Sequence, residues 1–155
     1  MKKVYIAAPF FNPAQLAAVE SIEQLCGTIN GLQYYSPRSD GVLMEMTPEE
    51  RKASMQRIFD TNVNRMNECD GMIAILDEKD TGTTWELGYA YMRSRTTSPR
   101  YRVMGYTSTP DVTINVMLAK GMHSHAVGLQ EAREMLEAFA SGQNWMTRSA
   151  YGDTY

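Results

Sequence analysis

Apolar residues in this chain fall into two kinds of stretch, and the two kinds alternate. Residues 3–10, KVYIAAPF, form a short run rich in β-branched and aromatic side chains and stopped at Pro9, the pattern of a first strand. Asn12 and Pro13 then supply an N-cap and a first helical position. From there Leu16, Val19, Ile22, Leu25, Cys26 and Ile29 recur at helical spacing, which predicts a helix to about Thr28 with one buried face. A short second strand is expected over residues 33–36, before Pro37-Arg38-Ser39-Asp40-Gly41. Thr47-Pro48-Glu49-Glu50 opens a second helix with a cap, a proline and acids at the positive end of the dipole, and the pattern continues to Glu68. Residues 72–76, MIAIL, read as a buried strand. An acidic, Gly- and Thr-rich loop follows over 77–84, and residues 85–90, WELGYA, read as the first turns of a third helix. Residues 102–106 predict a fourth strand, 115–120 a short helix, and the neighbourhood of Ala126 a fifth strand. The last helix is expected over 129–141, with Leu129, Ala132, Leu136 and Phe139 on one side.

Strands alternating with helices predict a parallel sheet of about five strands with helices on both faces. Right-handed crossovers give it a flavodoxin-like (Rossmann-like) α/β order, 2-1-3-4-5. No repeat, linker or low-complexity segment interrupts the chain, so residues 1–155 are expected to form a single domain.

Composition removes several functional classes. The content is 43% hydrophobic and 21% charged, as in ordinary globular proteins, and the net charge is −3. With no basic cluster, a nucleic-acid backbone is not an expected partner. No apolar run reaches the roughly 18 residues needed to span a bilayer, and Met1-Lys2-Lys3-Val4 enters a strand too early for a signal peptide. Cys26 and Cys69 sit singly inside helical patterns, which points to a reducing, cytoplasmic setting.

The stretch with most chemistry runs from Asp70 to Ala90, where strand, loop and helix aim Asp77, Asp80 and Glu86 at the crevice beyond the strand ends. The glycine-bearing loop resembles a phosphate cradle, but no G-x-G-x-x-G or Walker pattern occurs, and the turn after the first strand has no glycine, so no cofactor is expected. Asp80-Thr81-Gly82 shares its letters with aspartic proteases, whose chemistry requires paired aspartates on a β scaffold. Glu86, between Trp85 and Leu87, suits a partly buried nucleophile, with Asp80 across the crevice exchanging a proton. Equally open on spacing alone is a pair in which Glu86 stabilises its helix start and Asp80 is a solvated turn residue. His123 and His125 lack a supporting cluster of carboxylates or cysteines, so no metal site is expected. The 12 methionines are scattered and read as core filler and pocket lining. Among the aromatics, Phe11 follows the first strand into the crevice and is the candidate for stacking on a ligand.

Five segments in one order resemble the nucleoside 2-deoxyribosyltransferase family over most of the chain. They are VYIAAPFF at 4–11, Ser36-Pro37-Arg38, DTGTTWELG at 80–88, INVM at 114–117, and a terminal tyrosine, Tyr155. The resemblance implies that Glu86 is the nucleophile attacking C1′ of a 2′-deoxynucleoside, leaving a deoxyribosyl ester with retention overall. It implies further that Asp80 shares a proton with the nucleobase and that Tyr5 orients Glu86. Phe11, Gly82 and Asn62 join the substrate site in that scheme. Asn115, with Met117 beside it and Tyr155 as a further contributor, would complete a neighbouring subunit's site, which implies a homo-oligomer, a dimer or larger. The expected partners are a deoxynucleoside and a free nucleobase, and the expected setting is nucleotide salvage.

One position departs from the family pattern. Asn62 stands where a second base-contacting aspartate is usual, and an amide hydrogen-bonds a base without titrating. Asp60, two residues away on a helix, faces elsewhere. Related enzymes use the same glutamate to hydrolyse nucleosides or nucleoside 5′-monophosphates, which is the alternative activity. Arg38 either braces the site through a carboxylate or meets a 5′-phosphate. A catalytically silent nucleotide-binding module is the reading from a different class, although it would have little need of Glu86, Asp80, Tyr5 and Asn115 together.

Overall fold

The computed structural model describes residues 1–40 and 46–146. In chain order they form β1 (Lys2–Ala7), α1 (Pro13–Gly27), β2 (Leu32–Tyr35), a 3-10 turn (Pro37–Asp40), α2 (Pro48–Glu68), β3 (Gly71–Ile75), α3 (Thr81–Thr96), β4 (Arg102–Thr107), α4 (Val116–Gly121), β5 (Ser124–Val127) and α5 (Gly128–Ala140). All strand pairings are parallel and the sheet order is β2-β1-β3-β4-β5, as the pattern predicts.

Period-two alternation on the strands divides the interior into two layers. Val4, Ile6, Ile73 and Ile75 pack with α1 and α5 around Val19, Ile22, Met135 and Leu136. Tyr5, Ala7, Met72 and Ala74 face the other way and pack with Met66 of α2 and Leu87 and Ala90 of α3. β3 is buried at every position, as befits the central strand of a covered parallel sheet. This alternation decides where function lies, because it points Tyr5 at α3.

Helix starts follow the expected chemistry. Asn12 caps α1 by accepting from Gln15 N, and Thr47 and Glu50 form a reciprocal capping box on α2. Three local expectations need correction. The third helix begins at Thr81, not near Trp85, because Asp80 caps it and Thr84 returns its hydroxyl to the Asp80 carbonyl. Thr-rich segments have modest helix propensity, so a loop was the sequence expectation, and the cap overrides it. Leu129, in the first turn of α5, is 47% exposed, and the buried face of that helix is Ala132, Met135, Leu136 and Phe139. Cys69 is not inside a helix but ends α2 as its C-cap, donating its N–H to the Arg65 carbonyl. Among the described residues no helix is long and apolar enough to cross a membrane.

Candidate active site

At the carboxyl ends of β1 and β3, a cavity of about 450 Å³ opens between α2, α3 and the turn after β1. That volume lies within the range of roughly 300–1,000 Å³ typical of small-molecule sites. Glu86, Asp80, Gly82, Asn62 and Phe11 all line it.

Glu86 occupies the second turn of α3 and leans back over β1, where Tyr5 Oη donates to its Oε1 at 2.6 Å. Burial drives the Glu86 pKa up from 4.5 to about 7, the Tyr5 hydrogen bond opposes that rise, and the charge of Asp80 adds to it. Tyr5 is fully buried, and burial beside Glu86 holds its phenol protonated far above the ordinary range, so it acts as a fixed donor. Tyr35 stacks on Tyr5 with centroids 5.6 Å apart, which limits where the phenol can swing. One carboxylate oxygen is therefore held while the other remains available to an electrophile.

Asp80 caps the helix with one of its two oxygens. Its Oδ2 accepts from Thr83 N at 2.6 Å and from Thr83 Oγ1 at 2.8 Å, capping α3. Oδ1 is left for a ligand. Gly82 lets this geometry exist: a Cβ there would come within 3.2 Å of Asp80 Oδ2. The helix cap is observed and uses Oδ2 alone, so it does not occupy the oxygen that a proton-exchange role would need.

Asn62 faces the cavity from α2, and Phe11 stands at the cavity wall, 58% exposed and tilted against Phe10 at 5.1 Å. Other candidates are elsewhere. Arg38 does not line the cavity: its Nε donates to Glu23 Oε1 at 2.8 Å, its Nη2 pairs with Glu23 Oε2, and Nη1 reaches Glu20 at 3.6 Å. Of its two expected roles, pairing with a carboxylate is the one observed, and that carboxylate belongs to α1. Asn115 caps α4 through Met117 N and, together with Met117, lines a separate cavity of about 440 Å³ on the far side of the α3 amino terminus. Both cavities border Asp80, Thr81 and Thr83. Tyr155 lies outside the described residues. Asp77 anchors the segment after β4 by accepting from Ser108 N and Oγ at 2.7 and 2.9 Å.

Both histidines have structural partners. His123 Nδ1 accepts from Val103 N at 3.0 Å, and His125, buried, meets Thr107 Oγ1 at 3.1 Å, its burial pulling its pKa down to about 4. Among the described residues no group of three or more His, Cys, Asp or Glu side chains is arranged to hold a metal ion.

Sequence reasoning missed Arg57, Ile58 and Thr61, which line the cavity beside Asn62. A signal was present. Once Asn62 is assigned to the cavity, helical spacing brings Ile58 and its neighbours one turn earlier onto the same face. Thr83 is buried and holds Asp80, and its place in a Thr-rich stretch with loop-like composition gives no sequence signal for that role.

The sequence pattern of the nucleoside 2-deoxyribosyltransferase family matches residues 4–146. Among solved structures, the chain is similar to a 2-deoxyribosyltransferase from the psychrotolerant bacterium Bacillus psychrosaccharolyticus, with 28% identity and a TM-score of 0.69 over 91% of this chain and 96% of that one. A conserved protein from Enterococcus faecalis V583 shares the fold at 18% identity and a TM-score of 0.61, covering 91% of this chain and 98% of that one. None of the curated proteins matches the chain by sequence.

Proposed function

The chain belongs to the nucleoside 2-deoxyribosyltransferase family, and from that premise we propose that it exchanges the nucleobase of 2′-deoxynucleosides through a covalent ester on Glu86. The observation that carries this reading is the half-buried Tyr5–Glu86 hydrogen bond of 2.6 Å in the wall of a nucleoside-sized cavity that Asp80 also lines.

The free Glu86 oxygen attacks C1′ as the C1′–N bond breaks, and the bond electrons leave with the base. Asp80 supplies a proton to the departing base and takes one from the incoming base. The second base attacks C1′, the ester C–O bond breaks, and the Glu86 carboxylate is restored. Two inversions give retention. Splitting one displacement into two lowers each barrier, and Tyr5 stabilises the ionised nucleophile before attack. Phe11 and Phe10 offer faces for the base, and Asn62 offers both a donor and an acceptor to its edge.

Asn115 serves a neighbouring copy in this scheme, so the active form is a homo-oligomer. Its position in a separate cavity of its own chain supports that assignment. An exposed apolar strip supports it too: Met55 is 65% and Phe59 49% exposed, and Phe59 meets Trp85, itself 48% exposed, edge-on at 5.5 Å.

Hydrolysis is the second reading, favoured by Asn62. An amide in place of a titrating group leaves Asp80 alone to manage the base proton, which disfavours capture by a second base relative to water. Product analysis separates the two. With a 2′-deoxynucleoside and a second free base, transfer yields a new nucleoside, whereas hydrolysis yields free base and sugar at a rate independent of the acceptor. Glu86→Ala is expected to abolish either product, and turnover that survives it would sink the ester mechanism.

A further inference from the structure

We propose that Arg57 determines which nucleobases this site accepts, by presenting hydrogen-bond donors to the carbonyl-bearing edge of an oxo base. The proposal rests on the nucleoside reading above and deepens it.

Arg57 lines the cavity from α2, and the other charged side chains lining it are Asp80 and Glu86. Among the described residues it makes no hydrogen bond or ion pair, whereas Arg38 is consumed by Glu23. Arg57 is exposed and lines the cavity, so its guanidinium donors can reach a ligand there. Arg57 shares that wall with Thr61 and Asn62, five residues on, and Asn62 is the residue assigned to the base edge. Because both residues line the same cavity of about 450 Å³, a base held by Asn62 lies within the span of the long Arg57 side chain.

Guanidinium chemistry then sets the preference. Arginine carries five N–H donors, no acceptor, and keeps its charge at any working pH. Facing a carbonyl oxygen it forms a charge-assisted hydrogen bond. Facing an exocyclic amino group it sets donor against donor and forfeits the charge-assisted bond that a carbonyl would accept. Asn62 and Thr61 do not impose this choice, because an amide can present either end and a hydroxyl both donates and accepts. Arg57 also favours the departing base, whose developing negative charge is shared by its carbonyl oxygens, so its effect reaches kcat as well as KM. A 5′-phosphate is the less suitable partner: two carboxylates and one guanidinium already share the cavity, and a dianion would add to the negative side.

The test compares matched pairs differing only in oxo against amino, 2′-deoxyuridine with 2′-deoxycytidine and 2′-deoxyinosine with 2′-deoxyadenosine, by kcat/KM for base release. The wild type should favour the oxo member of each pair by roughly tenfold or more, the scale on which an unmatched polar contact discriminates. Arg57→Gln should bring each pair within about threefold by lowering the rate on the oxo member, and Arg57→Lys should retain part of the preference. Equal losses on both members, an unchanged ratio, an amino preference in the wild type, or a loss confined to 5′-monophosphates would each overturn the proposal. Titration of the wild type and Arg57→Gln with free uracil, cytosine, hypoxanthine and adenine, followed by calorimetry, reads the same preference without turnover. If no nucleoside is cleaved, the transfer and hydrolysis readings fall, and those binding ratios alone decide the role of Arg57.

Discussion

At the residue scale the site turns on how one carboxylate is kept both buried and usable. Burial raises Glu86 to about 7, and the Tyr5 hydroxyl works against that rise. Because attack requires the ionised form, kcat/KM should climb with pH to a midpoint near 7 on its acidic side. Tyr5→Phe removes the group that lowers the pKa, so the midpoint should move above 7 and the rate fall by roughly 10–100-fold. A pH–rate profile of both proteins checks this, and an unmoved midpoint would mean that Tyr5 is only packing. Stability should show the cost of the same arrangement. A carboxyl held at about 7 instead of 4.5 binds its proton more tightly when folded, so native stability falls as pH rises from 4.5 to 7. Glu86→Gln escapes that penalty. It should stabilise the fold by about 2–3 kcal/mol above pH 7.5 and by nearly nothing below pH 4, read from urea midpoints.

At the element scale the site is an arrangement of helix ends and their fasteners. Asp80 caps the amino terminus of α3, Gly82 sits beside that carboxylate, and the cap sets Asp80 and Glu86 on the same cavity. The 3-10 turn before α2 is fastened to α1 by Arg38 on Glu23, whose side chain is only 9% exposed. Arg38→Ala would strand that buried carboxylate, and a cost of about 2 kcal/mol is expected, at the low end for broken buried pairs because Arg38 is partly exposed. Since Arg38 stays out of the cavity, KM for a nucleoside should change less than about twofold, the scale of ordinary changes remote from a site. A large rise in KM with unaltered urea midpoint would instead place Arg38 in the substrate site.

At the scale of the whole molecule, one chain holds Glu86, the proposed nucleophile, in one cavity and Asn115 in another. If a neighbour's Asn115 completes each site, Glu86→Ala and Asn115→Ala chains are separately inactive and rescue each other when mixed. Random assortment then restores about a quarter of the wild-type sites, since one shared site in each mixed pair receives both intact residues. No recovery after mixing and reassociation would mean that Asn115 acts within its own chain or not at all. The exposed Phe59–Trp85 contact offers a second handle. Phe59→Glu should shift the assembly toward monomer in sedimentation while leaving the Tyr5–Glu86 pair in place, because burying a new carboxylate in an apolar contact is unfavourable.

Strand positions, helix caps and sheet order were legible because they are written in local periods. Alternation on β1 buries Tyr5 on one face, prolines and Asn12 or Thr47 mark helix starts, and short parallel crossovers leave few topologies. Spacing alone left Glu86 and Asp80 open between a helix-start pair and a catalytic pair; the resemblance of DTGTTWELG to the family singled them out, and the structure places both on one cavity. What the sequence left open were distances between elements. Whether Arg38 met a ligand or Glu23 depended on how the turn after β2 rests on α1. Whether Arg57 and Thr61 faced a cavity depended on the rotation of α2 over β1, and the pKa of Glu86 depended on how completely α3 and β1 exclude water around it. Local periodicity fixes what each segment becomes; the packing of segments far apart in the chain alone decides which side chains meet and what dielectric surrounds them.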